Sequence, residues 1–126
     1  VLIKGIDAVL VRVPSLDEGL AFYRDALGHA LRWRTADAAG LALGGGGVEL
    51  VLATGQGPET DLLVESIDEA MRQFVASGGS VVSGPFEIPV GRGLVVADRF
   101  GNELVLLELS KGRYITDGDG NVIGVS

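Results

Sequence analysis

The chain has no cysteine and one histidine among 126 residues. The first absence excludes a disulfide framework, a thiolate metal site and a cysteine nucleophile. The second leaves no set of imidazole ligands, and His29 offers no evident Ser-His-Asp triad. Positive charge is scarce: 10 Lys and Arg against 17 Asp and Glu give a net charge of −7. That balance argues against binding a nucleic-acid backbone and against polybasic docking to a membrane. No apolar run reaches the ~18 residues of a membrane span. The opening VLIKGIDAVLVRV lacks the charged, apolar and small-residue order of a signal peptide. A soluble, cytoplasmic protein is the expectation.

Apolar residues are plentiful at 47%, enough for one compact domain or for two half-size modules sharing a core. Glycine is abundant too, with 20 residues and a GGGG run at 44–47. That run lacks the GK[ST] ending of a phosphate-binding loop and has β-type segments on both sides, so it reads as a hairpin turn.

The strongest signal is a repeat. VPSLDE begins at residue 13 and VESIDE at residue 64, an offset of 51. Each contains an S-x-x-E capping box, Ser15 with Glu18 and Ser66 with Glu69, in which the hydroxyl accepts from an early helix N–H and the Glu reaches back. Asp17 and Asp68 add negative charge at the positive helix end. Apolar residues then follow at helical spacing: Leu16, Leu20, Tyr23 and Leu27, then Ile67, Ala70, Met71 and Phe74. Gly28 and Gly79 are read as the helix ends. ELVL recurs at 49–52 and 103–106, an offset of 54. The pattern predicts a βαβββ unit written twice, with strands over 30–37, 40–45 and 48–53, then 80–84, 92–97 and 103–109. Module one covers about 4–54 and module two about 58–109 of a single domain 1–126, with a tail at 110–126.

Two such units predict an α+β fold whose curved mixed sheets form a cup, with the helices on the outer faces. Strand alternation assigns Val9, Val11, Val13, Leu50, Leu52, Leu62, Val64, Leu104 and Leu106 to the helix side. It assigns Ala8, Leu10, Arg12, Glu49, Val51, Glu59, Asp61, Leu63, Glu103, Val105 and Leu107 to the cup.

The segments SLDEGLAFYRDALG (15–28), SGPFEIPVGRG (83–93) and DRFGNELVLLEL (98–109) resemble the vicinal oxygen chelate superfamily of glyoxalases, bleomycin-resistance proteins and extradiol dioxygenases. The last segment is similar to the family's D-P-x-G-N-x-hydrophobic-E run, with Arg99 in place of Pro. The resemblance implies metal ligands on the cup strands. The first-strand His position falls on Ala8, the second near Glu59, the Glu after G-N on Val105, and the remaining position on Glu49 or Val51. Alanine and valine side chains cannot ligate, so no metal site and no cofactor are expected. The cup carboxylates still leave room for an all-oxygen site holding a divalent cation.

The resemblance supports a homodimer that binds a small organic molecule against Leu10, Val51, Leu63 and Val105. Arg12, Asp61 and Arg92 would orient it, and Trp33 and Phe86 would wall it, with Tyr114 a further candidate. The alternative is a lyase, isomerase or epimerase, less favourably a dioxygenase, with Glu49, Glu59 or Glu103 as base. Core or dimer packing explains the aromatics equally well, and solvation or pairing with Arg12, Arg32 or Arg92 explains the carboxylates. The GRG at 91–93 reads as a turn before a strand. DGDGN at 117–121 lacks the sixth-position glycine of a calcium loop and reads as a turn between short strands.

Overall fold

A computed structural model describes Val1–Ser126. Its elements run β1 (Ile3–Arg12), α1 (Leu16–Leu20) with a π-helical continuation (Ala21–Ala26), β2 (Leu31–Arg34), β3 (Ala38–Ala42) and β4 (Glu49–Ala53). They continue with β5 (Glu59–Val64), α2 (Ile67–Ala76), β6 (Ser80–Ile88), β7 (Gly91–Ala97), β8 (Glu103–Glu108), β9 (Tyr114–Thr116) and β10 (Val122–Val125). This mixed α+β order is strand, helix and three strands, twice, followed by a hairpin. The chain divides into two compact units. The first holds Ala8–Glu59 and Tyr114–Gly124; the second holds Val1–Asp7, Thr60–Arg113 and Val125–Ser126.

In the first unit the sheet order is β2-β3-β4-β1. β1 runs parallel to β4, and the β2–β3 and β3–β4 pairs are antiparallel. The helix covers one face, where Val13, Leu16, Leu20, Ala39, Leu41 and Leu52 form the core, flanked by Val11, Tyr23, Leu31 and Leu50. Full burial of one such leucine stabilises by about 1.5–3 kcal/mol. Val9 shares that side of β1 but is 36% exposed and takes no part in the cluster.

In the second unit the order is β5-β8-β7-β6, with β5 parallel to β8 and the other neighbours antiparallel. Its core is Val64, Ile67, Ala70, Leu94, Val96 and Leu106, flanked by Met71, Phe74, Leu62 and Leu104. Glu108 adds a second anchor for α2. Its carboxylate accepts from the Ser110 hydroxyl (2.7 Å) and from the Ile67 backbone N–H (3.0 Å). Those two donors, the hydroxyl first, hold the Glu108 carboxyl below its ordinary range.

Both serine N-caps form, but the glutamate reaches back only in the first. Ser15 Oγ accepts from the Glu18 N–H at 3.1 Å, and Ser66 Oγ from the Glu69 N–H at 3.2 Å. Glu18 reaches back, accepting from the Ser15 hydroxyl at 2.9 Å. Glu69 instead pairs with Arg72 and Gln73, three and four residues along its own helix.

The first helix ends at Gly28 as expected, and the second ends one residue earlier than expected. The left-handed glycines are Gly28 (φ 85°) and Gly78 (φ 99°), so Gly78 rather than Gly79 closes α2. Ser15 and Gly28 are 13 apart whereas Ser66 and Gly78 are 12 apart. The extra residue sits in the π-helical turn, where the Leu27 N–H reaches the Phe22 carbonyl five positions back. That insertion rotates the residues beyond it, which leaves Leu27 54% exposed instead of in the core. His29 follows as a turn residue, its Nδ1 3.0 Å from the Ala42 carbonyl oxygen.

Gly91 and Gly93 lie inside β7, and the turn falls earlier, at 89–90. Neighbours explain both glycines: a Cβ on Gly91 would stand 1.7 Å from the Glu108 carbonyl oxygen, and one on Gly93 would stand 2.3 Å from the Phe86 ring.

The tail forms the β9–β10 hairpin. Its turn, Asp117–Asn121, repeats the β7–β8 turn, Asp98–Asn102, bond for bond. In each, D-x-x-G-N closes with the Asp N–H on the Asn carbonyl at 2.9 Å. One Asp oxygen accepts from backbone N–H groups two and four residues on, and the other from the Asn side chain. The Asp117 carboxylate is thus occupied in shaping its own turn.

Candidate functional site

The face of each sheet away from its helix, here the inner face, carries most of the candidate residues. In the first unit β1, β4 and β3 bring these side chains into three rows. Ala8 pairs with Glu49 and Glu49 with Ala42; Leu10 with Val51 and Val51 with Gly40; Arg12 with Ala53 and Ala53 with Ala38. Ala8, Leu10, Val51 and Ala53 are buried as one apolar cluster, with Trp33 and Ala38 packed against it.

Trp33 is seated by a glycine. Its strand partner is Gly40, and a Cβ there would stand 2.0 Å from the indole Nε1. The ring therefore lies across the sheet where no other residue type at position 40 would admit it. The indole N–H donates to Glu49 Oε1 at 2.9 Å, and Arg32 stands 3.7 Å from the other oxygen of that carboxylate. On the other side Tyr114 packs against Trp33, with ring centroids 4.9 Å apart and planes at 46°. Glu49 is thus committed to holding an aromatic wall. Arg12 is committed as well, donating to the Gly55 carbonyl at 3.1 Å and fixing the loop after β4.

The second unit repeats the device. Phe86 pairs with Gly93 and its ring occupies the space above that glycine. Asp61 pairs with Val105, and Leu63 with Leu107. Asp61 is the chain's one buried charged side chain, at 8% exposure. Glu59 is half-buried and Glu103 is exposed at the start of β8. Arg92 is not on this face. It lies in phase with Leu94 and Val96 on the helix side and pairs with Asp68 of α2 (3.1 Å) and with Glu87 (3.4 Å). The sequence expectation puts Arg92 among the ligand-orienting residues beside a turn at 91–93; with the turn at 89–90, Arg92 lies within β7.

The residues do not fit the metal that the fold family implies. Ala8 offers a methyl group, and its neighbour Glu49 is engaged by Trp33 and Arg32. Val105 offers no donor, and nowhere in the chain do three His, Asp or Glu side chains group to hold an ion. Two structural features carry a signal in the sequence. Trp33 and Gly40 are seven apart, as are Phe86 and Gly93. D-x-x-G-N occurs twice, at 98–102 and 117–121.

No helix is long and apolar enough to cross a membrane. Among known proteins, an uncharacterized protein of Mycolicibacterium smegmatis is 33% identical over 106 residues, covering 79% of this chain and 90% of that protein. The methylmalonyl-CoA epimerase of Mycobacterium tuberculosis is similar in structure, with a TM-score of 0.72 at 21% identity over 86% of this chain and 90% of that one. Homoprotocatechuate 2,3-dioxygenase of Brevibacterium fuscum matches at a TM-score of 0.60 and 19% identity, over 85% of this chain and 37% of that one. At these identities the two structures speak for the fold alone. Residues 5–106 match the sequence profile of the Glyoxalase/Bleomycin resistance protein/Dioxygenase superfamily, and the chain belongs to that superfamily.

Proposed function

We propose that this protein binds a small organic molecule against the inner face of its first unit and does so without the family's metal. One observation carries the reading: where the fold family places ligands to a metal, this chain presents an apolar cluster of Ala8, Leu10, Val51 and Ala53 walled by Trp33. Such a face favours an apolar or aromatic surface on the ligand, with Glu49 and Arg32 at its rim as polar groups. The same reading takes the protein to be a cytoplasmic homodimer; Val81 and Val82 on the edge strand β6, 36% and 49% exposed, are apolar surface that a second copy would cover.

The test is extraction. Freshly purified protein is denatured, and the extract is analysed for small molecules. The expected result is one organic compound in near-stoichiometric amount. It should rebind with a saturable change in the fluorescence of Trp33, the only tryptophan. An extract without such a compound would remove the reading.

A second reading, proton transfer of the lyase, isomerase or epimerase kind, has Asp61 in its favour. A buried carboxylate on an inner face is where a general base is to be sought. Asp61 is buried whereas Glu103 is exposed, so Asp61 is the stronger base candidate of the second unit, with Glu59 next. Without a metal, an oxyanion would have to be stabilised by arginine or backbone donors. Incubating the extracted compound with protein in D2O tests this. Deuterium appearing at a carbon, and absent with Asp61→Asn, would replace binding by catalysis.

A further inference from the structure

Resting on the ligand reading above, we propose that the C-terminal hairpin, residues 114–124, is a lid over the inner face of the first unit, opening and closing while the sheet beneath stays folded.

The coverage is layered. The apolar cluster of Ala8, Leu10, Val51 and Ala53 lies against the sheet, Trp33 lies on the cluster, and Tyr114 of β9 lies on Trp33. A molecule packing on the indole that walls this cluster has to part Tyr114 from Trp33. The hairpin meets the body along β2, the four-residue edge strand of its sheet. The Arg34 N–H donates to the Gly120 carbonyl at 2.8 Å, and Arg34 and Asn121 form a single parallel bridge. Gly120 also touches Leu31, since a Cβ there would stand 3.1 Å from a Leu31 methyl.

Several features let this piece move as a unit. Its turn is closed by Asp117 with donors from within the turn, the same chemistry that closes the β7–β8 turn. Its base is closed by a reciprocal pair of bonds between Arg113 and Ser126, each 3.0 Å. Its larger apolar side chains are not core: Ile115 is 40% exposed and Ile123 66%. Lifting the hairpin disrupts the bridge to Arg34, the Gly120 contact with Leu31 and the packing of Tyr114 on Trp33, while the hairpin keeps its own ladder. Segments of that kind open locally at far lower free energy than the global transition.

Two measurements on the full chain test the lid without any ligand. The first is native-state amide exchange. The Arg34 amide, whose acceptor is the Gly120 carbonyl of the hairpin, should exchange at least about ten-fold faster than those of β4, with no dependence on low urea. Exchange of that amide at the β4 rate, with the urea slope of global unfolding, would overturn the lid. The second uses the lone tryptophan. Tyr114→Ala should raise acrylamide quenching of Trp33 about two-fold and admit the neutral dye Nile red, whereas Tyr114→Phe should do neither. Unchanged quenching in a folded Tyr114→Ala protein would equally overturn it. An empty small-molecule extract would sink the ligand reading and leave both of these results standing.

Discussion

Replacing Gly40 by alanine probes the seat of Trp33 with one added methyl. The new Cβ would lie 2.0 Å from Nε1, 2.3 Å from Cε2 and 2.7 Å from Cδ1 of the indole. Ordinary carbon contacts begin near ~3.5 Å, so the ring has to move by more than an ångström or leave the sheet. Either way the indole loses its 2.9 Å bond to Glu49 and its packing on Tyr114. A hydrogen bond to a charged group is worth about 1.5–3 kcal/mol, an aromatic pair about 0.5–1.5, and overpacking costs about 1–3. These overlap, and alanine lowers the entropy of the unfolded chain by about 0.4–1 kcal/mol in the opposite sense. The expected net loss is about 2–4 kcal/mol. Urea unfolding measures it as a lower midpoint at unchanged slope, and the emission of the single tryptophan should shift to longer wavelength. In a Trp33→Ala background the same change should cost nothing or stabilise slightly. A Gly40→Ala protein with unchanged emission and stability would refute the seating argument.

The π-helical turn makes a paired prediction: Leu20→Ala should cost about 2–5 kcal/mol, whereas Leu27→Ala, two turns along but rotated to solvent, should cost well under 1. The two D-x-x-G-N turns predict acid sensitivity. Asn102 side-chain and backbone donors lower the Asp98 carboxyl below its ordinary range, and the Asn121 backbone and side chain do the same for Asp117. A depressed folded value stabilises above the unfolded value of about 3.9 and is lost as pH falls through the folded one. Thermal melts from pH 5 downward should therefore show a smaller acid-induced loss for Asp98→Asn and Asp117→Asn than for the parent; equal loss would deny the turns that role. Ser15→Ala and Ser66→Ala should each cost about 1 kcal/mol in the same melts.

The repeat was the legible part. Offsets of 51 and 54 pair Leu10 with Asp61 and Val51 with Val105, and the strand registers Leu10↔Val51 and Asp61↔Val105 follow those offsets. Capping boxes and alternating strands are local, so they can be read before the chain folds. The π turn depends on how α1 settles on Leu41 and Leu52, which no local pattern encodes. The side of Arg92 depends on where the β6–β7 turn closes, and a one-residue difference there reverses every side chain. The aromatic seats were legible in principle from the shared seven-residue spacing. The tail was legible as a hairpin, but its docking on β2 is tertiary and has no sequence period.

A native mass spectrum of protein purified without chelator separates the proposed organic ligand from a metal. It should show a chain or dimer carrying an organic adduct and no stoichiometric metal. One divalent ion held per chain would refute the proposal.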